Sequence, residues 1–486
     1  MKLCDLIFEG EYICTSVDMK STVEKITVFA EECDEQTLLV IPGANKNPTI
    51  LYNIRVRAII CGADIEIPDG IAVIRAKSSR RSAALVFSRF YKIDYNKIKI
   101  IGITGTNGKS STATFTKFAL EKHGMKVGMI GTGQISINNE VKSDTYYSMT
   151  TPDPWVLYPT LKEMESAGCD VVVMEISSHA LALEKVAPIL FDIAIFTNLS
   201  EEHLDFHESM ENYYNAKKKL FYQSKLGIIN IDDYYGRRLA KELTSKKITS
   251  GVLWRGDVFA SDIQQMGIDG IGYIYHGKNF TFKLNLHTAG IFNIYNSMLA
   301  ITAATALGAP PCKIKAALSE LPEIKGRYEI IKEQITVIID YAHTDTALKN
   351  ILRSIKETKR ADQILTLVFG CGGERDKAKR PRMAEIAELY ANRIIVTADN
   401  SRGEKTQDII SDILEGFKGH KHKVIEDRKE AIEYAIRTAN DNDIVALIGK
   451  GAEKYNINNS GYHPFDEREI IKEALSSRRE DRGYES

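Results

Sequence analysis

The sequence predicts an α/β protein built from three domains, and three observations lead to that prediction. The chain has 486 residues, which at about 100–200 residues per domain favours three domains. From residue 99 onward, apolar runs with the length of strands alternate with helical patterns, as in a doubly wound parallel sheet. The same alternation restarts near residue 325. We therefore predict a small N-terminal α/β domain over residues 1–98, a central doubly wound domain over residues 99–324, and a C-terminal Rossmann-like domain over residues 325–486.

The elements of the first two domains follow from short apolar runs. The runs "TLLVIPGA", "VRAIICGA" and "IAVIRA" suit strands of a small N-terminal sheet. In the central domain the strand "KIKIIGIT" leads through a glycine-rich loop into the helix "SSTATFTKFALEKHG", which we expect to end at Gly124, a plausible C-cap. Further strands read "VGMIGT", "DVVVMEIS", "DIAIFTNL" and "LGIINID".

The C-terminal domain is predicted from the strands "TVIIDYAH", "ILTLVFGCGG", "RIIVTADN" and "DIVALIGKG", with helical patterns between them. These strands end at Asp340, Gly370, Asp399 and Gly449. Ligands of open α/β sheets bind just beyond the carboxyl ends of the strands, so we expect binding residues there. The last residues, "SSRREDRGYES", are highly charged, and we expect them to be frayed.

Composition excludes several classes of protein. Lys and Arg number 64 against 65 Asp and Glu, a net charge of −1 that gives no general attraction to nucleic acid or membranes. No apolar run approaches the roughly 18–20 residues of a membrane span, and the N-terminus lacks the features of a signal peptide. The seven cysteines show no CxxC spacing, which favours reduced thiols. We expect a cytoplasmic monomer that acts on small molecules, without nucleic-acid or membrane partners.

The glycine-rich loop is the strongest local signal. Its residues are Gly105, Thr106, Asn107, Gly108, Lys109, Ser110 and Ser111. The loop is shorter than the strict Walker pattern, but it lies between a strand and a helix, the setting that a phosphate loop requires. Lys109 would reach the terminal phosphates, and Ser110 would hold Mg²⁺. A loop that only packs is disfavoured by the Lys-Ser pair at the start of the helix. Because of this loop, we predict that the central domain is similar to those of P-loop ATPases.

Two further residues are candidates for the magnesium site. Glu175 follows the apolar strand in "VVVMEIS", and His203 lies in "TNLSEEHLDFH". An oxygen-rich Mg²⁺ site needs carboxylates at strand ends near the phosphate loop, and Glu175 meets that condition by position.

Nine ordered motifs between about residue 99 and residue 470 carry a family resemblance. They are "GTNGKS", "MEISSHAL", "TNLSEEHLDFH…ENYYNAKKKLF", "GIFNIYNSMLA", "KGRYE", "DYAHTDTAL", "FGCGGERDKAKRP", "DNSRGE" and "GKGAEKYN". With them the chain resembles the Mur ligases, and most of all the MurE type, which adds an amino acid to UDP-N-acetylmuramoyl-dipeptide. The resemblance implies ATP-driven amide formation through an acyl phosphate, as a step of peptidoglycan synthesis.

The resemblance also implies roles for the residues around ATP. Ser110 and Glu175 would hold a first Mg²⁺, and Glu175 with His203 a second, while Lys217 would be carbamylated by CO₂ and so become an anion beside the metals. Other residues would contact the nucleotide. Asn293 and Asn296 would meet the base, Arg327 the phosphates and Asp340 the ribose, an arrangement in which closure of the third domain onto the second completes the site.

Two more sets of residues would bind the substrates. The carrier set is Thr150, Thr151, Ser178, His179 and Lys185. The amino-acid set is Arg375, Asn400, Arg402, Gly449 and Glu453. An arginine at the position of Arg402 favours meso-diaminopimelate over lysine, because a guanidinium pairs with the additional distal carboxylate.

The chain departs from the family pattern in its N-terminal domain and in one binding loop. The Asp-Ser-Arg segment that helps to hold uridine is absent from "EKITVFAEECDEQTLLVIPGANKN", and "GANKNPTIL" replaces the segment that usually follows. Leu183 and Lys185 stand where Gln and Arg are usual, and Ser401 replaces a proline. Three functions stay open: a MurE-type ligase, a Mur-like ligase acting on another carboxylate carrier in a secondary pathway, and a non-catalytic ATP-binding scaffold.

Overall fold

The computed structural model describes residues 1–43, 54–138, 140–142 and 149–483, with backbone alone for 481–483. All of the segment "GANKNPTIL" except Gly43 therefore lies outside the described residues.

The N-terminal unit is a small sheet flanked by helices, as the sequence predicts. Its elements are α1 (Leu3–Leu6), β1 (Tyr12–Thr15), β2 (Lys25–Thr27), a 3₁₀ turn (Ala30–Glu32), β3 (Thr37–Val40), β4 (Ala58–Cys61), β5 (Val73–Ala76) and α2 (Ser79–Tyr91). The strand order is β1-β5-β4-β3-β2, with β1 antiparallel to its neighbour and the others parallel. Every residue of β3 and β4 is buried, because both faces of the central parallel strands are covered.

The central unit contains the phosphate loop in a large mixed sheet. Its elements are β6 (Lys99–Thr104), α3 (Lys109–His123), β7 (Val127–Gly131), β8 (Gln134–Ile137), β9 (Glu140–Lys142), α4 (Pro154–Ser166), β10 (Val171–Glu175), α5 (Ser178–Ala182), β11 (Phe191–Phe196), α6 (Leu204–His207), α7 (Met210–Tyr222), β12 (Ser224–Asn230), α8 (Tyr234–Glu242), β13 (Lys247–Gly251), β14 (Val258–Gln265), β15 (Ile271–His276), β16 (Thr281–Leu286), α9 (Ile291–Ala306) and α10 (Pro311–Ser319).

In this sheet the order is β16-β15-β14-β13-β12-β11-β6-β10-β7-β8-β9. The strands from β14 to β7 in this order pair in parallel, whereas β15, β16, β8 and β9 extend the two edges as antiparallel strands. The helix α3 ends at Gly124, whose φ of 109° confirms the predicted glycine C-cap. The strands β6, β10 and β11 lie side by side, so their carboxyl ends form one surface beside the phosphate loop.

The C-terminal unit is a second, mostly parallel sheet. Its elements are β17 (Glu329–Lys332), β18 (Thr336–Asp340), α11 (Asp345–Thr358), β19 (Leu365–Phe369), α12 (Lys379–Tyr390), β20 (Arg393–Val396), α13 (Thr406–Leu414), β21 (His422–Val424), α14 (Arg428–Thr438), β22 (Ile444–Ile448), β23 (Tyr455–Asn458), β24 (Gly461–Pro464) and α15 (Glu467–Gly483). The order is β17-β18-β22-β19-β20-β21, and β23 and β24 form a separate hairpin. The four predicted strands are present, and β18 ends at Asp340 as predicted. The other three, β19, β20 and β22, end one to three residues before the predicted positions Gly370, Asp399 and Gly449.

One local expectation is wrong, since the charged end of the chain is helical up to Gly483. Arg478 explains the difference. Its side chain is buried, and Nη1 donates to the carbonyl oxygen of Ile436 at 2.8 Å, which fixes α15 against α14.

Hydrophobic layers cover both sides of each of the three large sheets. The layer between α2 and α4 is continuous from the N-terminal unit into the central one. The three-domain α/β prediction is thereby confirmed. The domain boundaries near residues 98 and 324 stay predictions, and each falls between two of the sheets. Within the described ranges no helix is both long and apolar enough to cross a membrane. The seven cysteines all lie in described parts of the chain, and none forms a disulfide.

Candidate active site

The phosphate loop joins β6 to α3, and its backbone requires glycine at two places. Gly105 and Gly108 have φ angles of 151° and 84°, which residues with side chains rarely adopt. The side chain of Lys109 folds back over the loop, and its Nζ donates to the carbonyl oxygens of Gly105 and Thr106 at 2.9 and 2.8 Å. Burial lowers the pKa of Lys109. The loop therefore places a cation beside a helix N-terminus, whose first N–H groups have no partner within the helix.

Side chains from two domains converge on Ser110. Its Oγ donates to Oε2 of Glu175 at 3.0 Å and accepts from Nη2 of Arg327 at 3.0 Å. Glu175 is buried at the end of β10, where its Oε1 also accepts from the backbone N–H of Thr132 at 3.0 Å. Three residues predicted to handle the phosphates and the first metal thus lie together, although Arg327 comes from the turn before β17, 217 residues further along the chain.

Lys217 reaches the same loop from α7. It is buried, and its Nζ donates to the carbonyl oxygen of Gly105 at 2.9 Å and lies 4.8 Å from the ring centre of Tyr213. Burial, and then the positive charge of Lys109, lower the pKa of Lys217 well below its ordinary value. The next lysine, Lys218, instead pairs with Glu242 away from the loop. Lys217, which is predicted to be carbamylated, therefore lies at the phosphate loop, whereas Lys218 does not.

A buried carboxylate that the sequence analysis did not identify lies beside His203. Glu202 is 5% exposed, and its two oxygens lie 2.9 Å from Nε2 of His343 and 3.7 Å from Nε2 of His203. Burial opposes the ionisation of Glu202, but the charge and hydrogen bond of His343 outweigh burial and hold its pKa far below its usual range. His343 follows β18, so this pair connects the central unit to the C-terminal one. In the sequence, this role was indicated by the position of Glu202 directly before His203, a predicted metal ligand.

His203 adopts a left-handed backbone conformation, with φ at 56°. Burial lowers its pKa to about 3, so the imidazole is neutral at pH 7, the form that binds metals. Its ring packs edge-on against the ring of His179, with the centres 4.8 Å apart.

The donor set around Ser110 fits a magnesium ion held partly by substrate. Among the described residues, no three or more His, Cys, Asp and Glu side chains form a ready-made metal cage. Mg²⁺ in phosphate-transfer sites uses one or two carboxylates together with phosphate oxygens and water. The hydroxyl of Ser110 and the carboxylate of Glu175, 3.0 Å apart beside the phosphate loop, match such a partial set.

The residues predicted to contact the nucleotide lie where the two larger domains meet. Oδ1 of Asn296 accepts from Oγ1 of Thr112 at 3.3 Å and lies against Gly108 of the phosphate loop. Asn293 and Arg327 line a small pocket that is mainly apolar with a few polar groups. Its other lining residues are Phe115, Leu286, His287, Thr288, Leu318, Leu321, Pro322, Glu323, Ile324 and Tyr328.

Asp340 lies next to this pocket with both carboxylate oxygens engaged. They accept from the backbone N–H groups of Tyr328 and Ala342 at 2.7 and 2.8 Å. Burial raises the pKa of Asp340. The carboxylate therefore fixes the turn that carries Arg327, in addition to the ribose contact predicted for it.

The two predicted threonines of the carrier set adjoin the end of β10. Oγ1 of Thr151 donates to the carbonyl oxygen of Glu175 at 2.9 Å. Oγ1 of Thr150 lies 2.9 Å from Oγ1 of Thr132, whose N–H donates to the same glutamate. These hydroxyls connect the predicted carrier side of the site to the metal side.

The other carrier residues lie on or beside α5. Oγ of Ser178 is 2.9 Å from Nε2 of His207. His179 packs between histidine and aromatic rings of the following motif. Lys185 is nearly buried, and its Nζ pairs with Asp153 at 2.7 Å.

The predicted amino-acid set collects at the carboxyl ends of β20 and β22. Nδ2 of Asn400 donates to Oε2 of Glu453 at 2.8 Å, and Gly449 has a φ of 122° beside Asp399. Burial, and then the charge of Asp399, raise the pKa of Glu453. Lys450, another residue that the sequence analysis did not identify, lies among them although it is part of the motif "GKGAEKYN".

Two arginines flank the glycine loop after β19. Nη1 of Arg402 donates to the carbonyl oxygens of Gly373 and Asn400 at 2.8 and 3.3 Å, and its φ of 51° is left-handed. Burial, and then the charge of Arg402, lower the pKa of Arg375. Two guanidiniums close together would attract a carboxylate.

Comparisons with known proteins agree with this geometry. The family model described as "Mur ligase middle domain" matches residues 103–304, and the one described as "Mur ligase, glutamate ligase domain" matches residues 326–451. A protein of Caldanaerobacter subterraneus named UDP-N-acetylmuramoyl-L-alanyl-D-glutamate–2,6-diaminopimelate ligase is 41% identical over 90% of this chain and 89% of its own length. A Clostridium botulinum protein with the same name is 38% identical over 94% of this chain and 96% of its own length.

Solved structures are also similar to this chain. One described as a UDP-N-acetylmuramoyl-L-alanyl-D-glutamate–2,6-diaminopimelate ligase matches with a TM-score of 0.68 and 25% identity, over 98% of this chain and 99% of the other. The MurF ligase of Thermotoga maritima, at 15% identity and a TM-score of 0.63, shares the fold. With relatives this similar along almost the whole chain, the protein belongs to the Mur ligase family.

Proposed function

We propose that this protein is an ATP-dependent ligase that joins meso-diaminopimelate to UDP-N-acetylmuramoyl-L-alanyl-D-glutamate, a step of peptidoglycan synthesis. A carboxylate of the carrier attacks the γ-phosphate of ATP and forms an acyl phosphate and ADP. The amine of the amino acid then attacks the acyl carbon, the amide bond forms, and phosphate leaves. The observation that carries this proposal is the convergence of Ser110, Glu175 and Arg327, which unites a phosphate loop, a buried carboxylate and a cation from another domain.

The phosphate side of the site needs positive charge, because two anions must approach each other. Lys109 at the loop and Arg327 from the third domain supply it. Ser110 and Glu175 would hold one Mg²⁺, and Glu175 with His203 would hold a second. Bound Mg²⁺ supplies further charge neutralisation at the phosphates.

Lys217 takes part in this scheme as a carbamate. Its neutral amine would add to CO₂ and release a proton, so that the side chain becomes an anion that can face Mg²⁺. The burial of Lys217 and its 2.9 Å hydrogen bond to Gly105 support this proposal, since they place the amine at the phosphate loop.

The acceptor amino acid would bind at the ends of β20 and β22. Arg402, with Arg375 nearby, would bind the distal carboxylate of meso-diaminopimelate, a group that L-lysine lacks. Asn400 and Glu453 would bind an ammonium end. Charged hydrogen bonds contribute about 1.5–3 kcal/mol each, which is sufficient to discriminate between the two amino acids.

The carrier would lie on Thr150, Thr151, Ser178, His179 and Lys185. A second function, ligation to a different carboxylate carrier, is favoured by one observation: Lys185 stands where arginine is usual, and it already pairs with Asp153. We also propose that the chain works as a monomer in the cytoplasm, without nucleic-acid or membrane partners; its nearly balanced charge supports the absence of nucleic-acid binding.

The test measures phosphate release and product mass with ATP, Mg²⁺, the UDP-linked dipeptide and each of several amino acids. Release that needs all substrates, together with a product heavier by one diaminopimelate residue, supports the proposal. Phosphate release that occurs only when a different carboxylate carrier replaces the UDP-linked dipeptide supports the second function. A protein that binds ATP but releases no phosphate with any carrier is a scaffold, and the proposal is then wrong.

A further inference from the structure

Lys450 is a fully buried cation in the turn between β22 and Glu453. Its Nζ donates to Oδ1 of Asn400 at 2.9 Å and to the carbonyl oxygen of Tyr455 at 2.8 Å. Carboxylate oxygens of Asp399 and Glu453 lie 3.7 Å away. One ammonium group thus connects the end of β20, the turn after β22 and the β23–β24 hairpin.

The contacts of Lys450 determine which way the Asn400 amide faces. Oδ1 of Asn400 accepts from Nζ of Lys450 and also from the backbone N–H of Ile457 at 3.0 Å. With its oxygen held by these two donors, the amide must present its NH₂ group on the other side. That group donates to Oε2 of Glu453 at 2.8 Å. Lys450 therefore acts on the Glu453 carboxylate both directly and through Asn400.

We propose that Lys450 is a positioning residue for the amino-acid substrate, which orients Asn400 and keeps Glu453 as a carboxylate aligned to receive an ammonium group. This inference rests on the proposed function and deepens it. Lys450 itself does not touch the substrate in this scheme.

The charges around Glu453 explain why a buried cation is needed there. Asp399 carries a like charge close by, and two neighbouring carboxylates without a cation favour protonation of one of them. Lys450 opposes this effect, with a smaller contribution from His343, while Arg428 also faces the cluster. Tyr341 and Tyr455 complete the surroundings, where burial, and then the charge of Glu453, raise the pKa of both phenols. A protonated Glu453 would attract an ammonium group less strongly.

The test compares Lys450→Met and Lys450→Gln with Lys454→Met in the full chain. Lys454 is a matched control because it lies in the same turn, is 72% exposed and pairs with Asp466 at 3.3 Å. For each variant, KM is measured separately for meso-diaminopimelate and for ATP, and thermal unfolding reports whether the variant folds.

We expect both Lys450 variants to raise KM for the amino acid about tenfold or more, with KM for ATP changed less than about twofold. The acid limb of the profile of kcat/KM for the amino acid should move to higher pH, because loss of the cation raises the pKa of Glu453. In a Glu453→Gln background, Lys450→Met should have a much smaller effect, since the two residues act through one contact.

The outcomes separate this inference from the proposed function. If the wild-type chain ligates no amino acid, the proposed function fails and this inference fails with it. If the wild type is active and the Lys450 variants keep its KM for the amino acid, Lys450 does not position the site. An equal rise in both KM values, or two variants that do not fold, shows a structural role and overturns the inference.

Discussion

Replacing Glu202 by glutamine should weaken the contact between the central and C-terminal domains and slow turnover. The substitution keeps the shape of the side chain but removes a buried charge that lies 2.9 Å from His343 and 3.7 Å from His203. A hydrogen bond to a charged group contributes about 1.5–3 kcal/mol. Because the side chain of His343 is 39% exposed, screening by solvent reduces the expected loss to about 1–2 kcal/mol. If the domains must meet in each turnover, kcat/KM should fall about 5- to 30-fold.

The adjacent glutamate provides the control for this substitution. Glu201 also reaches the C-terminal domain, where it pairs with Arg382 at 3.3 Å, but its side chain is 57% exposed. Glu201→Gln should therefore change kcat/KM and the unfolding temperature much less. Phosphate release and thermal unfolding measure both effects. Equal behaviour of the two variants would refute the role given to Glu202.

The same substitution has a consequence for stability as pH changes. The folded-state pKa of Glu202 is lower than its ordinary value of 4.5. Its contribution to the free energy of unfolding is therefore complete above that value and is lost as pH falls below it. The Glu202→Gln variant should therefore lose less free energy of unfolding than the wild type as pH falls.

Four other predictions concern single side chains. Lys109→Ala should abolish phosphate release because it removes the loop cation, and release at the wild-type rate would contradict this role. Lys217→Ala should be inactive and partly rescued by acetate, and mass spectrometry of the wild type should find one added CO₂ on this lysine; a fully active alanine variant would refute the carbamate. Burial lowers the pKa of His207 to about 4 from 6.5, so the free energy of unfolding should fall as pH drops through that window. In His207→Asn, the stability measured by thermal unfolding should depend less steeply on pH than in the wild type. An unchanged slope against pH would rule out this histidine as the cause. Arg402→Ala should narrow the preference for meso-diaminopimelate over L-lysine about tenfold or more, and selectivity equal to that of the wild type would mean that Arg402 does not bind the distal carboxylate.

The parts of the fold that could be predicted from sequence are those encoded locally. Each buried parallel strand is a short apolar run, and the C-cap at Gly124 and the loop before Lys109 each lie within one continuous segment. Among the antiparallel strands at the edges of the central sheet, β9 is exposed throughout and β16 alternates exposed with buried residues, so neither is a continuous apolar run. The other two, β8 and β15, are mostly buried, but polar residues or glycine interrupt their apolar residues. The helix through Gly483 depends on the burial of Arg478 against a distant helix, which composition alone does not indicate.

The site residues also divide into those that the local sequence identifies and those that depend on distant contacts. Residues in motifs, such as Ser110, Glu175 and Lys217, could be assigned from the resemblance, and the structure places all three at the phosphate loop. Glu202 and Lys450 could not, because their roles depend on partners far along the chain. The partner of Glu202 follows β18, and Lys450 contacts Asn400, 50 residues before it. Charge complementarity of this kind is a property of the folded chain.

The most direct test of the central claim follows the oxygen atoms of the carrier carboxylate. The carrier is labelled with ¹⁸O in the carboxylate that becomes the amide, and the phosphate released with ATP and meso-diaminopimelate is analysed by mass spectrometry. Attack on the γ-phosphate transfers one carboxylate oxygen to phosphorus, so each released phosphate should carry one ¹⁸O and the amide should keep the other. Phosphate without label, or label in AMP, would contradict the acyl-phosphate route proposed for this site.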